Sequence, residues 1–214
     1  MTISLYVFPP SPRSFKILAL AEHLGLAHEV KLVDLAKGEQ RAPEFFAINP
    51  NMRAPALRHG DYELWESGAI LQYLALQKPE AGLLPLTDPA RIDVTRWQFW
   101  DTAHWDPACA TFIFEHVVKP FVLGQPGVDP AAIEKGTPIF HRIAKVLEHQ
   151  LSRHRYIAGD QLSVADFSAA APLVYAKIAQ MPVGDYANIH RWSAEMMALP
   201  AWVAAADRYL PKLA

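Results

Sequence analysis

From residue 88 onward the chain shows no strand pattern, whereas the residues before 78 alternate short strand-like runs with helical ones. This change of hydrophobic period constrains the fold more than any other feature, because it requires a mixed α/β part followed by an all-helical part. Residues 3–8 are apolar, with β-branched and aromatic side chains, and read as a buried strand. Pro9, Pro10 and Pro12 end it. Over 14–24, Ile17, Leu18, Ala21 and Leu24 recur at helical spacing, and Gly25 supplies a stop. Residues 28–33 alternate as a second strand, with Val30 and Leu32 on one face. Residues 56–58 and 62–65 flank His59-Gly60-Asp61, a hairpin signal. Residues 67–77 are again helical through Ile70, Leu71 and Leu74. Between the second strand and the hairpin lies a loop-rich stretch with room for a short helix. A strand-helix-strand start needs a parallel pair and a hairpin adds antiparallel strands, so the expected sheet is mixed, with helices on its faces.

Residues 78–88 contain Pro79, Gly82 and Pro85 without periodicity and read as a linker. Residues 90–122 form one long helical pattern with Pro107 inside it, which predicts a kink or break near Asp106. After a loop at 124–130, residues 131–154 are helical and end in Arg153-His154-Arg155, where cations suit the negative end of a helix dipole. Ser163 and Asp166 make a capping box, with Leu162 and Phe167 as its hydrophobic staple. That is a folding signal, since both side chains then bond backbone N–H groups a helix start leaves unpaired. Two more helices are predicted near 187–198 and 201–210.

Composition narrows the function. With 214 residues, 51% of them hydrophobic, the chain can bury a real core. Its 20 basic and 22 acidic residues give a net charge of -2, which argues against nucleic acid or an anionic membrane as partner. The single cysteine, Cys109, makes no internal disulfide or redox pair, and the nine histidines lack ligand spacing, so no metal is expected. No basic leader opens the chain and no run approaches the ~18 apolar residues of a membrane span. The expectation is a soluble, cytoplasmic protein. P-loop, dinucleotide, zinc-protease and serine-hydrolase signatures are absent.

Two helix starts carry the remaining chemistry. In Pro9-Pro10-Ser11-Pro12-Arg13-Ser14, free N–H groups and two hydroxyls make a cradle for an anion, or else one serine is only a cap. In Trp65-Glu66-Ser67-Gly68, a carboxylate beside a hydroxyl and an N–H suits an amino-acid zwitterion, and Ser67 can equally cap its helix.

At these residues the chain resembles a cytosolic glutathione S-transferase of the serine type, nearly end to end. Asn49-Pro50-Asn51-Met52-Arg53-Ala54-Pro55-Ala56-Leu57 resembles that family's loop with a cis-proline before a strand. The run from Glu66 to Leu74 resembles its γ-glutamyl-binding turn and helix, and the run from Leu162 to Phe167 its capping box. The resemblance implies a thioredoxin-like domain over 1–78, a linker over 79–88 and an all-helical domain over 89–214. It implies a transferase that conjugates glutathione to a small hydrophobic electrophile in detoxification, acting as a homodimer. Ser11 matches the serine that activates the thiol, and Ser14 is its rival. Ala54 would offer its backbone to the cysteinyl unit, with a cis bond at Pro55. Glu66 and Ser67 would hold the γ-glutamyl group, and Gln40 and Arg41 would meet the glycyl carboxylate. Arg13 and Arg53 complete the glutathione site and depart from the family's usual residues there. The electrophile would lie between the domains against Phe8, His104, Trp105, Cys109 and Phe112, although Trp105, Cys109 and Phe112 also have the spacing of a core stripe. Met52, Phe45 and Phe46 are candidates for the dimer contact. Alternatives are a glutathione-dependent disulfide reductase, isomerase or dehalogenase, and a glutathione-binding carrier without catalysis.

Glutathione attacks as a thiolate, yet a thiol of pKa ~8.5 is only a few per cent ionised at neutral pH. Lowering it by about two units needs roughly 2.7 kcal/mol of differential stabilisation. A serine hydroxyl donating to the sulfur anion supplies ~1.5–3 kcal/mol.

Overall fold

The computed structural model describes residues 2–125 and 127–211. They fall into two compact units, the described parts of Met1–Leu84 with Ala198–Ala214, and of Pro85–Met197.

The first unit is built on a four-stranded sheet: β1 (Ile3–Val7), β2 (His28–Leu32), β3 (Ala56–His59) and β4 (Tyr62–Trp65). The strand order is β2-β1-β3-β4, with β1 and β2 parallel and the other pairs antiparallel. Helix α1 (Pro12–His23) joins β1 to β2, α2 (Pro43–Ile48) precedes β3, and α3 (Ser67–Leu76) follows β4. Ile3, Leu5 and Val7 alternate inward, as a half-buried strand requires. Helix α1 is buried from Ser14 through Ala21, far more than one amphipathic face. Its second cover is α9 (Pro200–Tyr209), which belongs to this unit. There Trp202 meets Phe15 edge-on at 5.1 Å, and Arg208 pairs with Glu22 at 2.6 Å.

On the other face α2, only six residues long, buries Phe45 and Ile48 against Val33 and Ala56. The expected apolar face of β2 is only partly formed. Val30 is half-buried, but Leu32 is 68% exposed, because β2 is an edge strand and its end lies beyond the helix cover.

Every named element among the described residues of the second unit is a helix, joined by loops. A continuous run comprises α4 (Asp88–Trp100), a π-helical turn at Asp101–Trp105, α5 (Asp106–Ile113) and a π-helical stretch at Phe114–Val122. The expected break at Pro107 does not occur, because the chain stays helical through it. Pro107 falls in the first turn of α5, directly after the π turn, where the widened backbone tolerates a missing N–H donor. Pro120 sits inside the second π stretch.

Helices α6 (Pro130–Leu151), α7 (Val164–Ala170) and α8 (Ala187–Met197) complete the unit. Glu148 of α6 accepts the N–H groups of Asn188 and Ile189 at the start of α8. Arg191 of α8 donates in return to the carbonyls of Leu151, His154 and Arg155. The cation at the end of α6 is therefore also supplied from α8, while Arg155 pairs with Glu195 at 3.0 Å.

The capping box forms as expected: Ser163 Oγ accepts from the Ala165 N–H, and Asp166 Oδ2 accepts from the Ser163 N–H at 2.9 Å. Asp166 Oδ1 takes two further donors, the Ile157 N–H and Trp192 Nε1, each at 2.9 Å. Burial still pushes this carboxyl up to about 6.

Candidate active site

Strand register gathers the candidate residues of the first unit. Tyr6 of β1 pairs with Ala56 of β3, and Ala56 pairs with Trp65 of β4. Val7 of β1 pairs with Leu32 of β2. The segment after β1, the segment before β3 and the segments after β2 and β4 therefore leave the sheet at one end. Ser11, Arg13, Gln40, Arg41, Arg53, Ala54, Pro55, Glu66 and Ser67 all lie on those segments. A sheet end with helices starting from it is a common place for a ligand.

Ser11 is the N-cap of α1, and its backbone is extended at φ -76°, ψ 127°. Pro12 explains this, since a residue before proline is pushed out of the helical region. The Ser11 side chain makes no capping bond and has no hydrogen-bond partner among the described residues. Ser14 does not cap either. It is fully buried, and its hydroxyl accepts the N–H of Phe8 at 3.1 Å. The expected cradle of free N–H groups is reduced, because Ser14 and Phe15 both donate to the Ser11 carbonyl and Pro12 has no N–H. At this helix start the Ser11 hydroxyl is left as a donor.

The peptide bond Ala54–Pro55 is cis. Asn49, only 2% exposed, holds the loop before it: its amide donates to the Arg53 carbonyl at 2.6 Å and its oxygen accepts the Asn51 N–H at 3.0 Å. Asn49 was not among the sequence candidates; the Asn-Pro dipeptide was its available signal. Glu66, the N-cap of α3, has φ 70° and ψ 113°. A non-glycine residue there costs about 1–3 kcal/mol, and such strain concentrates at functional sites. It leaves the Glu66 side chain exposed beside a nearly buried Ser67. Arg13, Arg41 and Arg53 are exposed, while the Gln40 amide oxygen is buried without a hydrogen-bond partner among the described residues.

Comparison with known proteins identifies the family to which this fold belongs. The model of the glutathione S-transferase N-terminal domain matches residues 1–76, and that of the C-terminal domain matches residues 107–200. The chain belongs to the glutathione S-transferase family. It is 34% identical to glutathione S-transferase 3 of Zea mays over 171 residues, 78% of this chain and 75% of the relative. It is 31% identical to glutathione S-transferase F10 of Arabidopsis thaliana, over 98% of this chain and 97% of the relative. Among solved structures, glutathione S-transferase-I bound with lactoylglutathione superposes with a TM-score of 0.87 at 25% identity, covering 97% of this chain and 99% of that one.

In this glutathione S-transferase the residues expected along the electrophile pocket divide. Phe8 is half-buried and His104 exposed. Trp105, Cys109 and Phe112 are core instead: Trp105 Nε1 donates to the Ala169 carbonyl at 2.8 Å, and the Trp105 and Phe112 rings pack on Phe140 at 5.3 and 5.4 Å. Three residues at i, i+4 and i+7 on one helix face take the place that spacing usually marks, the inside of a bundle. Cys109 is fully buried, and burial, then Asp106 and Asp101, push its thiol well up, so it offers no thiolate. His104 opens instead on a cavity of about 200 Å³ shared with Thr111 and Arg142. Phe45 is likewise buried, at 5% exposure, which leaves Phe46 and Met52 as the exposed pair near α2. Among the described residues no three His, Cys, Asp or Glu side chains gather as a metal site, and no helix is long and apolar enough to cross a membrane.

Proposed function

We propose that this glutathione S-transferase conjugates the glutathione thiolate to a small hydrophobic electrophile, with the Ser11 hydroxyl donating its proton to a hydrogen bond on the sulfur. The observation that carries the reading is that hydroxyl: extended at a helix start, unspent on capping, and set at the sheet end where the other candidates converge. Serine is too weak an acid to keep the thiol proton. Its part is to stabilise the thiolate, and one hydrogen bond to a charge, ~1.5–3 kcal/mol, is the size required.

The remaining residues bind the peptide. The Glu66 carboxylate accepts from the γ-glutamyl ammonium, and the Ser67 hydroxyl and N–H donate to its carboxylate. The Ala54 backbone, beside the cis bond to Pro55, pairs with the cysteinyl unit. Gln40, Arg41 and Arg53 face the glycyl carboxylate, and Arg13 adds positive charge near the sulfur, weakened by its exposure. The electrophile needs only to be held against apolar side chains near Phe8. On this reading 1–78 binds glutathione, 79–88 is a linker and 89–214 supplies the C-terminal helices, the last of which, α9, packs with the first unit; the protein acts as a cytoplasmic homodimer with Phe46 and Met52 in its contact. Disulfide exchange through a protein thiol has no support, since the chain's one cysteine is buried.

The test is conjugation of an aryl halide by the wild type and by Ser11→Ala. Losing a hydrogen bond of this size lowers kcat roughly ten- to a hundredfold. An unchanged kcat in Ser11→Ala refutes the assignment.

A further inference from the structure

We propose that Ser14 is a positioning residue for the Ser11 hydroxyl, a proposal that rests on the reading of Ser11 given above. The segment between β1 and α1 is short of the means to hold itself. Pro9, Pro10 and Pro12 have no N–H, so Ser11 supplies the single backbone donor between Phe8 and Arg13. That donor goes to the Phe8 carbonyl at 2.9 Å.

Ser14 closes the arrangement. Its hydroxyl accepts the Phe8 N–H at 3.1 Å, and its own N–H donates to the Ser11 carbonyl at 3.0 Å. The three bonds form a ring: Phe8 to Ser14, Ser14 to Ser11, Ser11 back to Phe8. Both backbone polar groups of Phe8, the residue that follows β1, are thereby tied, and both backbone polar groups of Ser11 are used. The side-chain hydroxyl is what Ser11 has left.

Ser14 can serve in this way because it is buried. At 0% exposure its hydroxyl meets no competing water, and it reaches back six residues to the strand end instead of folding onto its own helix. A serine whose only task was to start α1 would bond an N–H of the first turn. The bond it makes instead spans the segment that carries Ser11. Removing the hydroxyl leaves the Phe8 N–H unpaired and lets the Ser11 backbone drift, and sub-ångström drift weakens a hydrogen bond to sulfur without disturbing Glu66 and Ser67 on another segment.

A double-mutant cycle on Ser11 and Ser14 tests this. The readouts are the pKa of enzyme-bound glutathione by ultraviolet titration of the thiolate, the kcat and KM for glutathione, and thermal unfolding. In Ser14→Ala the thiolate pKa rises and kcat falls on the order of tenfold, short of the hundredfold that an ångström of misplacement costs. KM for glutathione changes by less than about threefold, because the peptide contacts remain. Ser14→Thr, which keeps a hydroxyl, restores the thiolate pKa. In the Ser11→Ala background Ser14→Ala adds nothing to the pKa, because a residue that acts through another loses its effect with it.

Two results overturn the proposal with the role of Ser11 intact. If Ser14→Ala lowers the unfolding temperature but leaves pKa and kcat unchanged, Ser14 only stabilises the fold. If the two substitutions raise the pKa additively, Ser14 acts on the sulfur itself. An unchanged pKa in Ser11→Ala refutes the role of Ser11, and with it anything for Ser14 to position.

Discussion

Ser11 and Ser163 hold the same position, the N-cap of a helix, and use their hydroxyls in opposite ways. Ser163 starts α7 with a full capping box: its oxygen accepts from the Ala165 N–H, and Asp166 reaches back to the Ser163 N–H. Ser11 starts α1 with no side-chain capping bond, although its carbonyl accepts the N–H groups of Ser14 and Phe15. The neighbouring residues make the difference. Ser163 is followed three residues on by an acid, and no proline stands beside it. Ser11 is followed by Pro12, whose lack of an N–H removes one donor, and by Ser14, whose hydroxyl is committed to Phe8. A cap that is spent marks a folding site, and on the proposed reading the hydroxyl that Ser11 withholds is kept for a ligand.

The comparison breaks most readily at the spent end. Asp166→Asn presents an amide donor to the Ser163 N–H, and leaving buried donors unpaired should cost about 2–3 kcal/mol in urea unfolding at pH 7. The pH dependence adds a sign. The folded pKa of about 6 lies above the unfolded value of roughly 3.9, so the native state holds the proton more tightly. The proton-linked part of the stability from Asp166 is therefore full below about pH 4 and lost as pH rises through about 6, while its hydrogen bonds to the Ser163, Ile157 and Trp192 donors remain. Asp166→Asn should remove that slope, and an identical pH profile in the variant would show that Asp166 does not titrate there.

A smaller effect separates the two serines directly. Ser163→Ala should cost about 1 kcal/mol, the usual value of a cap, while Ser11→Ala stays within about 0.5 kcal/mol of wild type. Equal losses in paired denaturation curves would mean that Ser11 is spent on its helix after all.

Smaller still is the response of Glu66, a third N-cap, which stands at φ 70°. Glycine, which lacks a Cβ, lowers the strain of that backbone, so Glu66→Gly should raise stability by about 0.5 kcal/mol. It should also raise KM for glutathione, since the acceptor for the ammonium is gone. Higher stability with unchanged KM would separate the strain from the binding site.

Much of this was legible in the sequence because it depends on near neighbours. Pro12 sets the backbone of Ser11, and the spacing of Ser163 and Asp166 sets their box. The loss of strand period after residue 88 matches a second unit whose named elements, among the described residues, are all helices. What was not legible depends on distant partners. Ser14 looks like a cap until Phe8 is found six residues behind it. Trp105, Cys109 and Phe112 share a face whether that face lines a pocket or a core, and only the Ala169 carbonyl and the Phe140 ring decide for core. Pro107 predicts a break from local rules, which the π turn at Asp101–Trp105 absorbs. Asn49 is marked in sequence only as the start of an Asn-Pro turn, yet its side chain holds the backbone of Arg53 and Asn51.

The central claim is that the Ser11 hydroxyl is kept for the sulfur of glutathione, and the thiolate measures it directly. Ultraviolet titration near ~240 nm of glutathione bound to wild type and to Ser11→Ala reads the thiol pKa in each. Loss of a hydrogen bond to a charge should raise it by about one to two units, the equivalent of ~1.4–2.7 kcal/mol, with the unfolding midpoint nearly unmoved. The same bound pKa in both proteins would contradict the claim.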